Sequence, residues 1–492
     1  MNGNEVIALQ GGKRENAGRK AVLESEKKAG YQIYLTPAQR EEIEQYAMGN
    51  SFSEKCVSLI TKQLEIERVR AQRTVRVIDL FAGLGGIRLG MKKGFEAHGY
   101  NVECVFSSEI KEYAIKAYKN YFGEETIHGD ITKIASNDIP DFDFLLAGFP
   151  CQPFSSAGKQ LGFSDTRGTL FFEIERILKD KKPYGFLLEN VEGLINHDKG
   201  NTLKVIIEHL KALGYTVNYK LIDSQYFGLP QSRKRVYIVG MFNKEISLDN
   251  FPVTTATLGD IMEHNQPTID SNFTRCLLSH YSLADIQGKA IKDKRGGSDN
   301  IHSWEIELKG ATSKKQRDLL NKLLKERRKK TWAEEIGIKW MDGMPLTLEQ
   351  IKTFYDDPEL EEMLEDLVAK GYLVLEHPRE QINGVRVPDP TKPKGYNIVS
   401  GKLSFEFSKI LAPDELVPTL VAMDANKMGV VDGCGIRQLT IRECQRLCGY
   451  DDDYDLSMLK TKDAFDLLGN TVCVPVIAAI AGRMAKKYKD GV

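Results

Sequence analysis

The 492-residue sequence is short of the signals that announce a compartment or a metal. Its eight cysteines, at 56, 104, 151, 276, 434, 444, 448 and 473, form no CxxC pair, so the usual zinc spacing is missing and no metal is expected. No apolar run reaches the roughly 18 residues of a membrane span, and the opening MNGNEVIALQGGKRENAGRK lacks the apolar stretch of a signal peptide. The expected setting is the cytoplasm, with thiols kept reduced and no membrane partner. Excess charge of one sign is also missing: 68 Lys and Arg stand against 69 Asp and Glu, so global charge does not advertise a polyanionic partner. The dinucleotide fingerprint is incomplete, because Arg88 stands where a third glycine should follow Gly83 and Gly85. That excludes a nicotinamide dehydrogenase in practice.

A hydrophobic content of 41% can supply a real core, and the length suggests about three domains of roughly 150 residues each. Over residues 75–242, short apolar runs (VRVIDLF, VECVFSSEI, FDFLLAGFP, GFLLENV, TVNYKLID, KRVYIVGMF) alternate with amphipathic stretches such as TLKVIIEHLKALG. This rhythm predicts an α/β fold with a mostly parallel, doubly wound sheet, whose ligands bind at the carboxyl ends of the strands. From 246 to 434 the alternation stops and charge rises, as expected of an inserted domain. Residues 435–492 return to regular helices (TIRECQRLCGY, VIAAIAGRMAKKY) that complete the catalytic domain of 75–245.

Residues 1–74 read as a separate module. YQIYLT alternates like a strand, Thr36 can cap a helix opening on Pro37, and Ser51 with Glu54 suits a capping box for a second helix. A strand and two helices resemble a ribbon-helix-helix module, in which two chains pair their strands; a plain helical appendage is the other reading. The resemblance turns Gln32 and Tyr34 toward DNA and implies that this module dimerises. Within the insertion, 346–378 resembles a winged-helix fragment or, equally, an ordinary αα-β insertion. The run KKQRDLLNKLLKERRKK, 314–330, is either a solvated helix face or a source of phosphate contacts through Lys314, Arg317, Arg327 and Arg328.

The chemistry concentrates at the predicted strand ends. DLFAGLGG places glycines directly after a strand, where the backbone can approach a ligand closely. Glu109 ends the next strand, where an acid can accept from ribose hydroxyls, and Asp130 follows a further apolar step. In LLAGFPCQPFSS a strand breaks into Pro150, Cys151 and Pro153, a setting that a core cysteine does not need and a nucleophile does.

These segments, in order, resemble the DNA (cytosine-5) methyltransferases. DLFAGLGG, SEI and GDI are similar to that family's cofactor motifs, GFPCQPFS to its nucleophile loop, ENV (189–191) to its acid motif and QSRKR (231–235) to its paired-arginine motif. RQLTIREC and GNTV close the series. The resemblance implies an S-adenosylmethionine-dependent methyltransferase fold with an inserted target-recognition domain. It implies S-adenosylmethionine held by Phe81, Gly83, Gly85, Glu109, Ile110, Asp130, Leu170, Asn470 and Val472. It also implies addition of the Cys151 thiolate to C6 of a flipped-out cytosine, a proton from Glu189 at N3, contacts from Arg233 and Arg235 to the ring's O2, and DNA contacts from Gln152 and Ser155. The expected activity is sequence-specific methylation of double-stranded DNA by a monomeric catalytic domain at the nucleoid of a prokaryotic cell, paired in function with a restriction endonuclease. The N-terminal module would regulate transcription of the chain's own synthesis. A tRNA cytosine-5 methyltransferase and a non-catalytic DNA-binding regulator are the alternatives.

Overall fold

The computed structural model describes residues 5–8, 32–123, 126–150, 169–293, 299–339, 342–382, 385–399, 405–421 and 425–489. Two compact units emerge: residues 1–75 with 99–101, and the rest of the chain. In the first unit, β1 (Glu5–Ala8) pairs antiparallel with β2 (Gln32–Leu35), followed by α1 (Pro37–Tyr46) and α2 (Phe52–Gln72). Thr36 caps α1 in a reciprocal box with Gln39, and Pro37 opens the helix. Ser51 Oγ accepts from the Glu54 amide, and the Glu54 carboxylate reaches back to the amide of Asn50. The strand expected to pair with a second chain is therefore paired within its own.

The second unit is built on a seven-stranded sheet. In chain order its elements are β3 (Thr74–Leu80), α3 (Gly86–Glu96), β4 (Asn101–Ser108), α4 (Glu112–Phe122), β5 (Ile127–His128), β6 (Phe144–Gly148), α5 (Thr169–Lys181), β7 (Gly185–Val191), α6 (Asn201–Ala212), β8 (Tyr215–Asp223) and β9 (Lys234–Phe242). The strand order is β5-β4-β3-β6-β7-β9-β8. β3, β6 and β7 are parallel, and β9 alone runs against both its neighbours, so the sheet is mixed at one edge. Alternate strand residues serve opposite faces. Ile78, Leu80, Leu145, Ala147, Phe186 and Leu188 pack on α5 and α6, while Phe144 meets Phe95 of α3. The order reverses between β3 and β6, which opens a crevice at their carboxyl ends.

The inserted region contains α7 (Asn272–His280), α8 (Leu283–Ile286), β10 (Ala290–Ile291), β11 (Asn300–Ile301), α9 (Lys314–Glu326), α10 (Thr331–Glu335), α11 (Leu348–Lys352), α12 (Leu360–Ala369), β12 (Leu373–Glu376), β13 (Arg379–Ile382), β14 (Val385–Pro388), β15 (Gly395–Ile398), β16 (Lys409–Leu411), β17 (Met428–Asp432) and β18 (Gly435–Gln438). A second sheet runs β11-β10-β16-β17-β18. Its hairpin β17–β18 straddles the domain boundary expected at 434, because Val430 and Arg437 pair across the turn. The return to the catalytic domain comes instead at Thr440, which caps α13 (Ile441–Leu447) and precedes α14 (Thr461–Asn470) and α15 (Val474–Lys489).

Residues Thr461–Tyr488 are apolar and long enough to cross a membrane by composition alone, although the sequence shows no uncharged run of that length. The most apolar 18-residue window there is 72% buried, which makes it a core element of this fold. α15 lies hard against α3: a Cβ on Gly90 would sit 2.4 Å from Ile477 Cβ, and one on Gly94 would sit 2.6 Å from Ala481 Cβ. Glycine at these two positions is a condition of the docking.

Candidate active site

A cavity of about 440 Å³ opens at the carboxyl ends of β3, β4, β6 and β7, at the sheet's switch point. The first turn enters it under backbone strain: Phe81 adopts φ 55° and Gly83 φ 54°. A Cβ on Gly83 would meet nothing within 4 Å, so the space above it belongs to the cavity. Gly85 does not line the cavity. Its φ of 69° serves the N-terminus of α3, and a Cβ there would stand 2.4 Å from Phe122, so its part is close packing rather than ligand contact.

Glu109 follows β4 with its carboxylate fully oriented by backbone: Oε2 accepts from Gly83 N at 2.8 Å, and Oε1 from the amides of Ile110 and Lys111 at 2.8 and 2.9 Å. Asp130 accepts from the Thr132 amide and hydroxyl, which hold its carboxyl below the usual range. Phe81, Ile110, Leu170, Asn470 and Val472 also face the cavity. The tail reaches it from far along the chain. Asp466 of α14 binds Lys111 Nζ (2.9 Å) and Tyr113 OH (2.7 Å), and Asn470 is held by Asp466 in turn.

On the other side of the cavity, β6 and β7 are in register with Gly148 beside Glu189. The nucleophile loop leaves β6 two residues later. Cys151, Gln152 and Ser155 lie outside the described residues. Glu189 is 8% exposed, and Arg235 Nε stands 3.1 Å from its Oε1. Burial raises the Glu189 carboxyl above the ordinary range, and it outweighs the opposing fields of Arg235 and Arg233. A carboxyl so placed holds a proton more readily than an exposed one and can give it up inside the cavity.

The paired arginines divide in function. Arg233 is buried, its guanidinium donating to the carbonyls of Leu420 (2.8 Å), Gly469 (3.2 Å) and Thr471, and its Nε has no partner among the described residues. The terminal nitrogens of Arg233 are committed to these carbonyls, so it positions Gly469 to Thr471, and it also lines the cavity. Gln231 works in the same way, donating to Leu447 O (2.8 Å) and accepting from Leu420 N (3.0 Å). Arg235 alone of the pair meets Glu189.

The residues expected to meet DNA fare differently. Lys314 is exposed. Arg317 donates to Thr312 O (2.8 Å) and stands 3.3 Å from Glu307; Arg328 pairs with Asp342 at 2.8 Å. Arg327 is corrected outright. It is 3% exposed, bonded to Asn397 Oδ1 and Ile398 O, and burial pushes it down to about 10. It fastens α9 to β15 and cannot reach a phosphate. In the N-terminal unit Gln32 lies in β2, and Tyr34 is 61% exposed.

Three residues were not singled out from sequence. Asp79 lies at the cavity floor, 2% exposed, and accepts from Tyr118 OH at 3.3 Å. A carboxylate inside an apolar strand was its signal. Asn190, beside Glu189, donates to Phe149 O at 2.9 Å and accepts from Val191 N at 2.9 Å, so it anchors the strand end from which the nucleophile loop departs. Gln231 gave no signal, since its partners lie about two hundred residues away.

Residues 75–486 match the family model of C-5 cytosine-specific DNA methylases. The Type II methyltransferase M.NlaIV of Neisseria lactamica is 54% identical over 417 residues, covering 83% of this chain and 98% of that protein. The Type II methyltransferase M.BanI of Aneurinibacillus aneurinilyticus is 42% identical over 436 residues, covering 82% and 94%. With the match running from the first strand of the main sheet into its last helix, the chain belongs to the C-5 cytosine-specific DNA methylase family.

Proposed function

We propose that the chain is a Type II, sequence-specific DNA methyltransferase that methylates C5 of a flipped-out cytosine through a covalent bond from Cys151 to C6. The observation that carries this reading is the Glu189–Arg235 pair, buried at 3.1 Å in the cavity that also holds the Gly83, Glu109 and Asp130 cradle. S-adenosylmethionine fits that cradle chemically: free space over Gly83, an oriented carboxylate for ribose hydroxyls at Glu109, a second at Asp130 for the adenine amino group, and Phe81 to stack on the base. When bound, it supplies an electrophilic methyl group. Leu170, Ile110, Asn470 and Val472 close around it, and Gly85 holds the turn.

The remaining steps belong to the chain's own residues. C5 of cytosine is a weak nucleophile, and addition of the Cys151 thiolate at C6 moves electron density onto C5 and N3. Glu189, its carboxyl raised above the ordinary range by burial, gives a proton to N3, while Arg235 orients Glu189 and faces O2. After transfer a water takes the C5 proton, the C6–sulfur bond breaks to release the Cys151 thiolate, and the N3 proton returns to the Glu189 carboxylate. Gln152 and Ser155 steady the extruded nucleotide.

The enzyme works in the cytoplasm, at the nucleoid, as a monomeric catalytic unit whose modification protects DNA from a cognate endonuclease. The N-terminal ribbon, which carries Gln32 and the exposed Tyr34, binds a promoter duplex and controls synthesis of the enzyme.

Trapping tests the mechanism. Incubation with S-adenosylmethionine and randomised duplexes carrying 5-fluorocytosine, whose fluorine blocks the release step, should give a denaturation-resistant protein–DNA adduct. Cys151→Ser should give none. An adduct that survives this substitution would overturn the assignment of the nucleophile.

A further inference from the structure

With Arg327 buried, and Arg317 and Arg328 beside acids, the arginines of the α9 run are committed within the module, and of its basic residues only the lysines are exposed. The module around it has a recognisable plan. α9 is followed by the short α10, an extended residue, Leu346, then α11, α12, β12, the β13–β14 hairpin and β15. β15 lies between Leu346 and β12, forming a small three-stranded sheet, and Trp304, Leu320, Leu364 and Ile398 share its core. Apart from α10, this order resembles a helix–strand–helix–helix–strand–wing–strand plan, with the bridge at Leu346 in place of its first strand. In such modules the second helix of the helix-turn-helix is the one that ordinarily enters the major groove.

Here that helix carries the wrong charge. Residues 356–370 contain seven acids and a single lysine, and Glu361, Glu362 and Glu365 of α12 are exposed. Duplex DNA presents a phosphate charge about every 1.7 Å along its axis, so this face is repelled by it. The hairpin is its opposite. Register pairs Arg379 with Pro388 and Gln381 with Arg386, which puts Arg379 and Arg386 on one face of the ribbon. Both are exposed, and Arg379 has only a 3.6 Å approach to Glu376 at the hairpin's base. Residues 377–394 carry four Lys and Arg against two acids, and four prolines stiffen them. The base is fixed: Lys392 Nζ donates to Ile336 O at 2.9 Å, and the ring of His377 meets Lys392 O at 2.8 Å.

We infer that the β13–β14 wing lies along the phosphate backbone of the bound duplex, with Arg379 and Arg386 as its contacts, and that α12 faces away from the DNA. The inference rests on the reading of the chain as a DNA methyltransferase. Two Arg-to-phosphate contacts each add about one unit to the salt dependence of binding and position the protein without reading sequence.

The test compares full-length variants on a random-sequence duplex across a salt series, with steady-state methylation of genomic DNA alongside. Arg379→Ala/Arg386→Ala should weaken duplex binding about tenfold near physiological salt and lower the log–log salt slope by about two. The methylation loss should appear as a raised KM for DNA, and Arg379→Lys/Arg386→Lys should restore the slope. Glu361→Gln/Glu362→Gln/Glu365→Gln should leave binding unchanged or tighten it. An unchanged slope in the alanine variant would overturn the inference, and so would weakened binding in the α12 variant. A wild-type chain that neither binds nor methylates duplex DNA would overturn the proposed function instead.

Discussion

The cavity and the inserted region hold their charges under opposite constraints. In the cavity the ionisable groups are few, buried or backbone-bound: Glu109 fixed by three amides, Asp130 by Thr132, Glu189 by Arg235. In α9 and its continuation nine Lys and Arg crowd into 17 residues, yet the arginines lie buried or beside acids, and Lys315 sits between Asp357 and Glu359. Density of charge along the chain therefore says little about where a ligand binds, because neighbouring segments have evolved the matching acids. A single carboxyl held in an apolar wall says much more, since only a specific use repays its desolvation.

The sharpest way to break this contrast is at Glu189. Glu189→Gln removes the proton donor but keeps shape and burial, and it should lower kcat about 10²- to 10⁴-fold while leaving cofactor affinity intact. In the wild type the active form is protonated, and its proton is held above the ordinary carboxyl range. Single-turnover rates should therefore be full below that raised pKa and fall as pH climbs through it, a limb that is missing in the Gln variant.

The two arginines of QSRKR should separate by readout. Arg233→Ala leaves three buried carbonyls without donors and should cost about 3 kcal/mol in urea unfolding. Arg235→Ala should cut kcat at least tenfold with a smaller loss of stability. Arg327→Met should cost about 2 kcal/mol and leave the salt dependence of DNA binding unchanged, which places it with the structural arginines. The smallest effect is expected at Asn190. Asn190→Ala frees the Phe149 carbonyl, so kcat should drop a few-fold at constant KM for S-adenosylmethionine, with the rate of 5-fluorocytosine trapping falling in step.

What could be read from the chain in advance followed the same division. The parallel strands were legible because burial on both faces writes near-continuous apolar runs, and Phe81, Glu109, Asp130 and Glu189 because a strand's end fixes where the next residue points. The antiparallel β9 was not legible, since its apolar run reads the same in either direction. Arg327 was misjudged because it carries the residue type of a ligand contact and is used for bonds to a segment distant in sequence. Such partners leave no local periodicity. The boundary at 434, drawn where regular helices return, falls inside the hairpin β17–β18, whose pairing continues to Gln438.

The account's central claim is that the chain methylates cytosine in DNA at the Glu189 cavity, with Cys151 as the nucleophile. The most direct measurement is bisulfite sequencing of genomic DNA from a methylation-free bacterial host expressing the chain, beside the Cys151→Ser and Glu189→Gln variants. The account predicts one cytosine protected within one short recurrent sequence, with protection abolished by Cys151→Ser and strongly reduced by Glu189→Gln. Uniform conversion despite ample folded protein, or protection undiminished in either variant, would contradict it.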